Sequence, residues 1–459
     1  MRIVMKFGGT SVADAERIGH VAGIVRAAAG KHQVLTVVSA MDGITEQLLE
    51  VADAAASGND LRTGELLTAI RDRHLACAYA LGAHEHVRPL LEGLEAIVHG
   101  VLALEELTPR STDAIAAFGE RLSCAMLAHV LGATPMDGRQ AGIVTDDHFT
   151  EADPLMDLSM FQVQEVLGPM MDKGQPVVVT GFVAANQHGV TSTLGRGGSD
   201  YTATILGSAL KADEIWIYSD VDGLMTADPR VVPEARLLGT LGFAEAVEMG
   251  KFGAKSMHPR ALEPAAAFGV PVRMRSTFKP DHPGTLISSE PAPTATVVRA
   301  VPMLKGLAML TVGGAAMVGR PGSASEVFAS LARERINIHM ICQSVSESGI
   351  SLVVSQAQAD RAKAALERTL RQHGLARTID VRPGVCVVAP VGAAMKGTPG
   401  VAARIFTSIA GLGINVIAIA QGSSELSISI VVEGQSGPRA VAAIHKEFGL
   451  QGEQPQANV

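Results

Sequence analysis

The chain has 459 residues, of which 47% are apolar and 18% charged, with a formal net charge of −8. That length calls for two or three domains, and that composition for a packed globular interior rather than a disordered chain. One Trp, three Tyr and the lack of a long basic run disfavour nucleic-acid binding. The most apolar run, Ile405 to Ala420, is interrupted by Ser408, Gly411, Gly413 and Asn415 and falls short of the ~18 residues of a membrane span.

The first predicted element is the strand RIVMKF, which runs into a glycine turn with no apolar leader region, so a cytoplasmic protein is expected. A helix with Ile18, Val21, Ala22 and Val25 on one face and a second strand, QVLTVVSA, follow it in the alternation of an α/β fold. Residues 45–135 read as successive helices broken at Gly58, Pro89 and Thr108-Pro109, a helical insertion in the sheet. Further strands are predicted at PVVVTGFV (176–183) and EIWIYSD (214–220), and the Pro-, Ser- and Thr-rich segment around 279–298 marks a domain boundary, placed at 295. Cys77, Cys124, Cys342 and Cys386 form no Cys-x-x-Cys pair and read as reduced, buried thiols.

Beyond residue 300 the chain repeats itself. Residues 335–354 (RINIHMICQSVSESGISLVV) match 413–432 (GINVIAIAQGSSELSISIVV), and GGAAMVGRPG from Gly313 matches VGAAMKGTPG from Val391. Gly322 and Gly400, Asn337 and Asn415, and Gln343 and Gln421 keep one constant offset, so two small α+β units are expected at about 305–380 and 383–455. Each reads strand, glycine turn, helix, strand, strand.

Two glycine-rich loops open onto helices: Lys6-Phe7-Gly8-Gly9-Thr10-Ser11 and Thr193-Leu194-Gly195-Arg196-Gly197-Gly198-Ser199-Asp200. Glycines let backbone N–H groups approach an anion, and the helix N-terminus adds partial positive charge. A plain capped turn with a solvated lysine remains an equal reading of the first alone. Neither loop has Walker A or Gly-x-Gly-x-x-Gly spacing, and the protein-kinase motifs are missing. Ser219-Asp220-Val221-Asp222-Gly223 and Thr226-Ala227-Asp228-Pro229-Arg230 put carboxylates and a hydroxyl after a strand, where a nucleotide or Mg²⁺ shell or an ordinary Asp-Gly turn both fit. KFGAKSMHPR (251–260) adds Lys255 and His258. His84 and His86 lack metal-binding spacing, and no protein-borne metal site is expected.

At these four motifs, and at Val38 to Met41, Gly43 to Thr45 and Phe118-Gly119-Glu120-Arg121-Leu122-Ser123, the chain resembles the aspartate kinases of the amino-acid kinase family over nearly its whole length. The resemblance implies an open sheet flanked by helices, with a helical substrate-side insertion over residues 1–295, then tandem ACT units over 296–459. It implies ATP with Mg²⁺ and L-aspartate as substrates and 4-phospho-L-aspartate as product, the first step toward lysine, threonine and methionine. Lys6 and Asp200 would be catalytic. Glu120 would take the substrate ammonium and Arg196 its α-carboxylate, with Ser39, Thr45 and Ser199 supplying hydroxyls. The nucleotide would meet Lys6, Phe7, Gly8, Gly9, Ser219, Asp220, Met225, Arg230, Lys255 and Ser256, although many relatives carry Tyr where Met225 stands and Thr where Ser219 stands. An amino-acid effector, threonine favoured over lysine, would bind at Met317, Gly319, Gly322, Ser323, Ile336, Asn337 and Gln343. A homodimer or larger homo-oligomer is expected, with no nucleic-acid or membrane partner and no fused homoserine dehydrogenase. The competing expectations are a catalytically dead amino-acid sensor or a family kinase for another carboxylate or carbamate.

Overall fold

A computed structural model describes residues 1–253, 257–291, 296–313, 322–343, 349–373 and 378–451. The chain forms two compact units: 1–224, 239–243 and 257–291 make the first, and 225–238, 244–253 and the described residues from 296 onward belong to the second. Two segments that the sequence reading assigns ahead of the boundary, 225–238 and 244–253, therefore pack with the C-terminal repeats.

In the first unit β1 (Arg2–Phe7) is buried from Ile3 to Phe7 with side chains on both faces, as a central parallel strand must be. A 3₁₀ turn, Gly9–Val12, leads to α1 (Ala15–Ala29), whose N-cap Asp14 accepts the Arg17 amide and whose inner face buries Ile18, Val21, Ala22 and Val25. After β2 (Gln33–Val38) come α2 (Ile44–Ala56), α3 (Asp60–Leu81), α4 (His84–Leu104), α5 (Pro109–Ala116) and α6 (Phe118–Leu131). Their apolar stripes share one core with Leu48, Val51, Ile70, Leu94 and Leu122, where each buried aliphatic side chain contributes about 1.5–3 kcal/mol.

Pro89 does not break the chain here, contrary to expectation, but lies inside α4. Its missing N–H forfeits one bond early in the helix, and the burial of Val87, Leu91, Leu94, Val98 and Val101 outweighs that loss. Residues 109–131 have the length and mean hydropathy, 1.3, of a membrane-crossing helix, yet 72% of that window is buried inside the protein, so its apolar character serves the core.

The unit continues through β3 (Thr134–Met136), β4 (Val144–Thr145), α7 (Met156–Asp172), β5 (Val177–Thr180), β6 (Val183–Asn186), β7 (Thr191–Thr193), α8 (Gly198–Ala209), β8 (Glu214–Ser219) and β9 (Thr240–Gly242). Beyond α9 (Phe243–Lys251) it closes with α10 (Pro259–Phe268), β10 (Val272–Ser276) and β11 (Thr285–Ser288). The main sheet has the order β3-β5-β2-β1-β8-β10-β11-β9 and is parallel from β3 to β10. The expected single strand over 176–183 is two: Gly181 donates to the Val38 carbonyl, Phe182 turns to φ 62°, and β6 joins a separate sheet, β4-β6-β7.

In the second unit β12 (Met303–Gly313), α11 (Ser323–Arg333), β13 (Met340–Gln343), β14 (Gly349–Ser355) and α12 (Ala359–His373) form one repeat. The other is β15 (Thr378–Val388), α13 (Val401–Ala410), β16 (Ala418–Gln421), β17 (Ile428–Glu433) and α14 (Gly437–Glu447). Each repeat thus closes with a helix that the matched segments, which end at 354 and 432, do not include. The two share one sheet, β13-β14-β12-β15-β17-β16, through the antiparallel β12–β15 pair. That sheet curls until its edges meet, where the Cys342 thiol donates to the Ile419 carbonyl at 3.2 Å. The four cysteines are free thiols; Cys77, Cys124 and Cys386 are buried as expected, while Cys342 is only half-buried at the edge of the sheet.

Candidate active site

Parallel strands end at one edge of the main sheet, the usual ligand edge of α/β folds, and a cavity of about 720 Å³ opens in the first unit among groups carried there. Lys6 comes from β1, Ser39 follows β2, Thr45 sits in the first turn of α2, Glu120 in that of α6, and Arg196, Ser199 and Asp200 on the β7–α8 loop and helix start. All seven line the cavity, so the residues predicted for catalysis and substrate binding are brought together.

Lys6 is 8% exposed, and its ammonium lies 2.6 Å from the Asp200 carboxylate. A lysine buried this far needs a counter-charge, which Asp200 supplies at the strand end beside the cavity. No side chain caps α8, and although the Gly198 amide donates to the Gly195 carbonyl, the dipole of the opening turn offers the same cavity a second positive feature. Gly197 makes this possible: it holds φ 73°, and a Cβ there would stand 2.5 Å from the Cβ of His258.

Glu120 is 3% exposed, and its Oε2 has no hydrogen-bond partner among the described residues. Burial pushes its carboxyl pKa up to about 8, with Glu46 adding to the rise, while hydrogen bonds from Ala40 and its own backbone and the charge of Lys6 pull it back. Gly119 lets α6 come this close to the end of β2, since a Cβ there would lie 2.8 Å from that of Ala40. Arg121, one residue on, points elsewhere and pairs with Asp137 at 2.7 Å. The cavity therefore holds a buried acceptor lacking a cation, which a substrate ammonium satisfies, together with two positive features suited to anions. Arg196 is exposed at the mouth and makes no ion pair among the described residues.

The predicted nucleotide residues divide. Gly9 lines the cavity, but the Gly8 amide is spent on the Tyr218 carbonyl. The Phe7 side chain is fully buried and stacks on Tyr218 with centroids 4.8 Å apart, so it is a core residue. Ser219 ends β8, where its hydroxyl accepts the Val221 amide, and Asp220 follows in the same unit. Met225 and Arg230 belong to the second unit, Arg230 exposed and paired with Asp228 at 2.7 Å. Lys255 and Ser256 lie outside the described residues.

Of the effector candidates, Met317 and Gly319 lie outside the described residues. Gly322 caps α11 at φ 90°, and Ser323 begins that helix. Ile336 is 5% exposed in the core of the first repeat, while Asn337 and Gln343 are exposed, Gln343 at the end of edge strand β13. Sequence reasoning missed Asp113, Thr150 and Phe182, which also line the cavity. A lone aspartate in an Ala-rich helix carries no spacing signal.

Residues 1–276 match the model of the amino acid kinase family, and 310–370 and 388–448 match that of the ACT domain. Aspartokinase 3 of Arabidopsis thaliana is 33% identical over 97% of this chain and 81% of its own length. The bifunctional aspartokinase/homoserine dehydrogenase 1 of Zea mays is 33% identical, and this chain spans about half the length of that and similar bifunctional relatives. Among solved structures, E. coli aspartokinase III in complex with aspartate and ADP matches with a TM-score of 0.81 and 30% identity, over 98% of this chain and 100% of that one. The same enzyme with lysine and aspartate gives 0.82 and 31%, over 97% and 99%. The chain belongs to the aspartokinases of the amino acid kinase family, with tandem ACT domains.

Proposed function

We propose that the chain transfers the γ-phosphoryl group of ATP to the side-chain carboxylate of L-aspartate, giving 4-phospho-L-aspartate and ADP, as the first step toward lysine, threonine and methionine. The observation that carries this reading is the buried Glu120 carboxylate, whose Oε2 has no hydrogen-bond partner among the described residues, in the same cavity as the Lys6–Asp200 pair. It is supported by the E. coli relative solved with aspartate and ADP.

The acceptor carboxylate is already ionised, so no general base is required. What opposes reaction is its repulsion by the triphosphate, on the order of 4 kcal/mol per unit-charge pair at ~4 Å and an effective dielectric of 20. Lys6 and the uncapped start of α8 offset that charge as it shifts in the transition state. Glu120 takes the substrate ammonium and Arg196 its α-carboxylate, which directs the side chain toward Lys6. The described residues hold no cluster of three metal-ligating side chains. Mg²⁺ would come with the phosphates and Asp200 would help to hold it, since Mg²⁺ is usually bound by one or two carboxylates plus phosphate oxygens. When bound, Mg²⁺ supplies charge neutralisation on those oxygens. ATP, Mg²⁺ and L-aspartate should release ADP and give an acyl phosphate that hydroxylamine traps. Binding of aspartate with no ADP release would instead identify a dead sensor.

We further propose feedback by an amino acid at the ACT repeats of a homodimer or larger homo-oligomer, with threonine favoured over lysine. A lysine effector brings a second ammonium whose desolvation needs a carboxylate partner, whereas neutral threonine brings no such charge. The strands β13 and β16 expose the apolar side chains of Ile341 and Ile419, which suits association. Inhibition curves run on the species sized by light scattering test both: threonine should inhibit a dimer or larger form. A monomer, or inhibition by lysine alone, contradicts the reading.

A further inference from the structure

Glu120 and Arg196 stand on separate pieces of chain, α6 and the β7–α8 loop, and one buried carboxylate ties those pieces together. Asp113, on α5 just ahead of α6, is 1% exposed. It accepts the Thr193 amide at 3.0 Å and the Thr193 hydroxyl at 2.7 Å, and its two oxygens accept the Thr150 amide at 3.0 and 2.9 Å. Thr193 ends β7, three positions before Arg196. Thr150 holds a left-handed φ of 77°, and the next residue, Glu151, packs against Gly195: its Cγ would lie 3.0 Å from a Cβ there. The Ala152 amide closes the ring on the Thr193 carbonyl at 2.9 Å. One carboxylate thus holds both the strand that leads into the Arg196 loop and the turn against which that loop rests.

Asp113 forms no ion pair among the described residues. Burial raises its carboxyl pKa, and the Thr193 hydroxyl and the two amides only partly offset the rise. A charge kept at such a cost, and satisfied wholly by backbone and hydroxyl donors, fixes geometry rather than adding stability.

We propose that Asp113 is a positioning residue that fixes Arg196 against Glu120, and so fixes the point from which a bound amino acid's side chain reaches toward Lys6. Through that register it favours the four-carbon dicarboxylate over the five-carbon one. The proposal rests on the reading of Glu120 and Arg196 as receptors for the substrate's ammonium and α-carboxylate.

Asp113→Asn tests it, because the amide presents an NH₂ to donors that need acceptors. The variant should lose about 10²-fold in kcat/KM for aspartate, the scale of an ångström-sized misplacement, while the KM for ATP stays within about twofold. Its discrimination against glutamate should fall. Thr193→Val should reproduce the defect and Thr193→Ser should not. Hydrogen exchange should quicken at 149–152 and 193–196 in Asp113→Asn with protection elsewhere retained, a readout that does not depend on turnover. Wild-type kinetics with unchanged exchange would overturn the clamp, as would an equal rise in both KM values with global loss of protection. A wild-type protein that phosphorylates no aspartate would overturn the functional reading instead, and the exchange measurement would still judge the clamp.

Discussion

Replacing Lys6 with alanine is expected to lower kcat about 10²–10³-fold, the usual loss on removing one preorganised charge from a transition state, with the KM for aspartate within about twofold of wild type. The charge on the transferring phosphoryl oxygens changes most between ground and transition state, and Lys6 is the ammonium held against Asp200 where the central strand ends. The substrate's own ammonium and α-carboxylate are read by Glu120 and Arg196, so binding should survive. Because the substitution leaves the Asp200 carboxylate without its partner, some loss of Tm is expected as well. Steady-state kinetics at saturating ATP, with a melting curve as control, check this. An aspartate KM that rises as far as kcat falls contradicts the division of labour.

Glu120→Gln should do the opposite. Truncating one member of a buried ion pair costs about 2–5 kcal/mol, so aspartate affinity should fall roughly 30-fold or more while any residual kcat is less affected. The pH dependence follows from the free carboxyl. With a pKa near 8 it is protonated over most of the neutral range, and it must ionise to accept an ammonium. The wild-type kcat/KM for aspartate should therefore climb with pH up to about 8 and then level, and Glu120→Gln should lose that limb. Stability runs the other way. The folded pKa of about 8 lies above the ordinary 4.5, so the native state holds more protons between those values and stability falls as pH rises across that window. Glu120→Gln removes this term and should melt above wild type at pH 8 in the absence of substrate. A flat wild-type pH profile, or a variant that melts lower at that pH, contradicts the role assigned to the buried carboxylate.

The chemistry legible in the sequence was the chemistry with a local signature. Lys6 and Asp200 each belong to a glycine loop opening onto a helix, and Glu120 follows the glycine that lets α6 approach the end of β2. Those motifs lie far apart in sequence and meet because β1, α6 and α8 deliver them to one cavity. Asp113 escaped because its meaning lies wholly in long-range partners, Thr150 and Thr193, which no spacing rule connects to it. Phe7 sits within a ligand motif while its ring belongs to the core against Tyr218, so any ligand contact there falls to its backbone. Pro89 signals a break by local preference, and the five apolar side chains that α4 buries override it. The closing helices α12 and α14 fall outside the matched segments because amphipathic helices preserve pattern more than residue type.

The most direct test of the central claim is chemical. Purified protein incubated with ATP, Mg²⁺, hydroxylamine and an equimolar mixture of L-aspartate and L-glutamate should yield the side-chain hydroxamate of aspartate, identified by mass spectrometry, in step with ADP release. Hydroxamate from glutamate alone, or none at all while aspartate binds, would contradict the account.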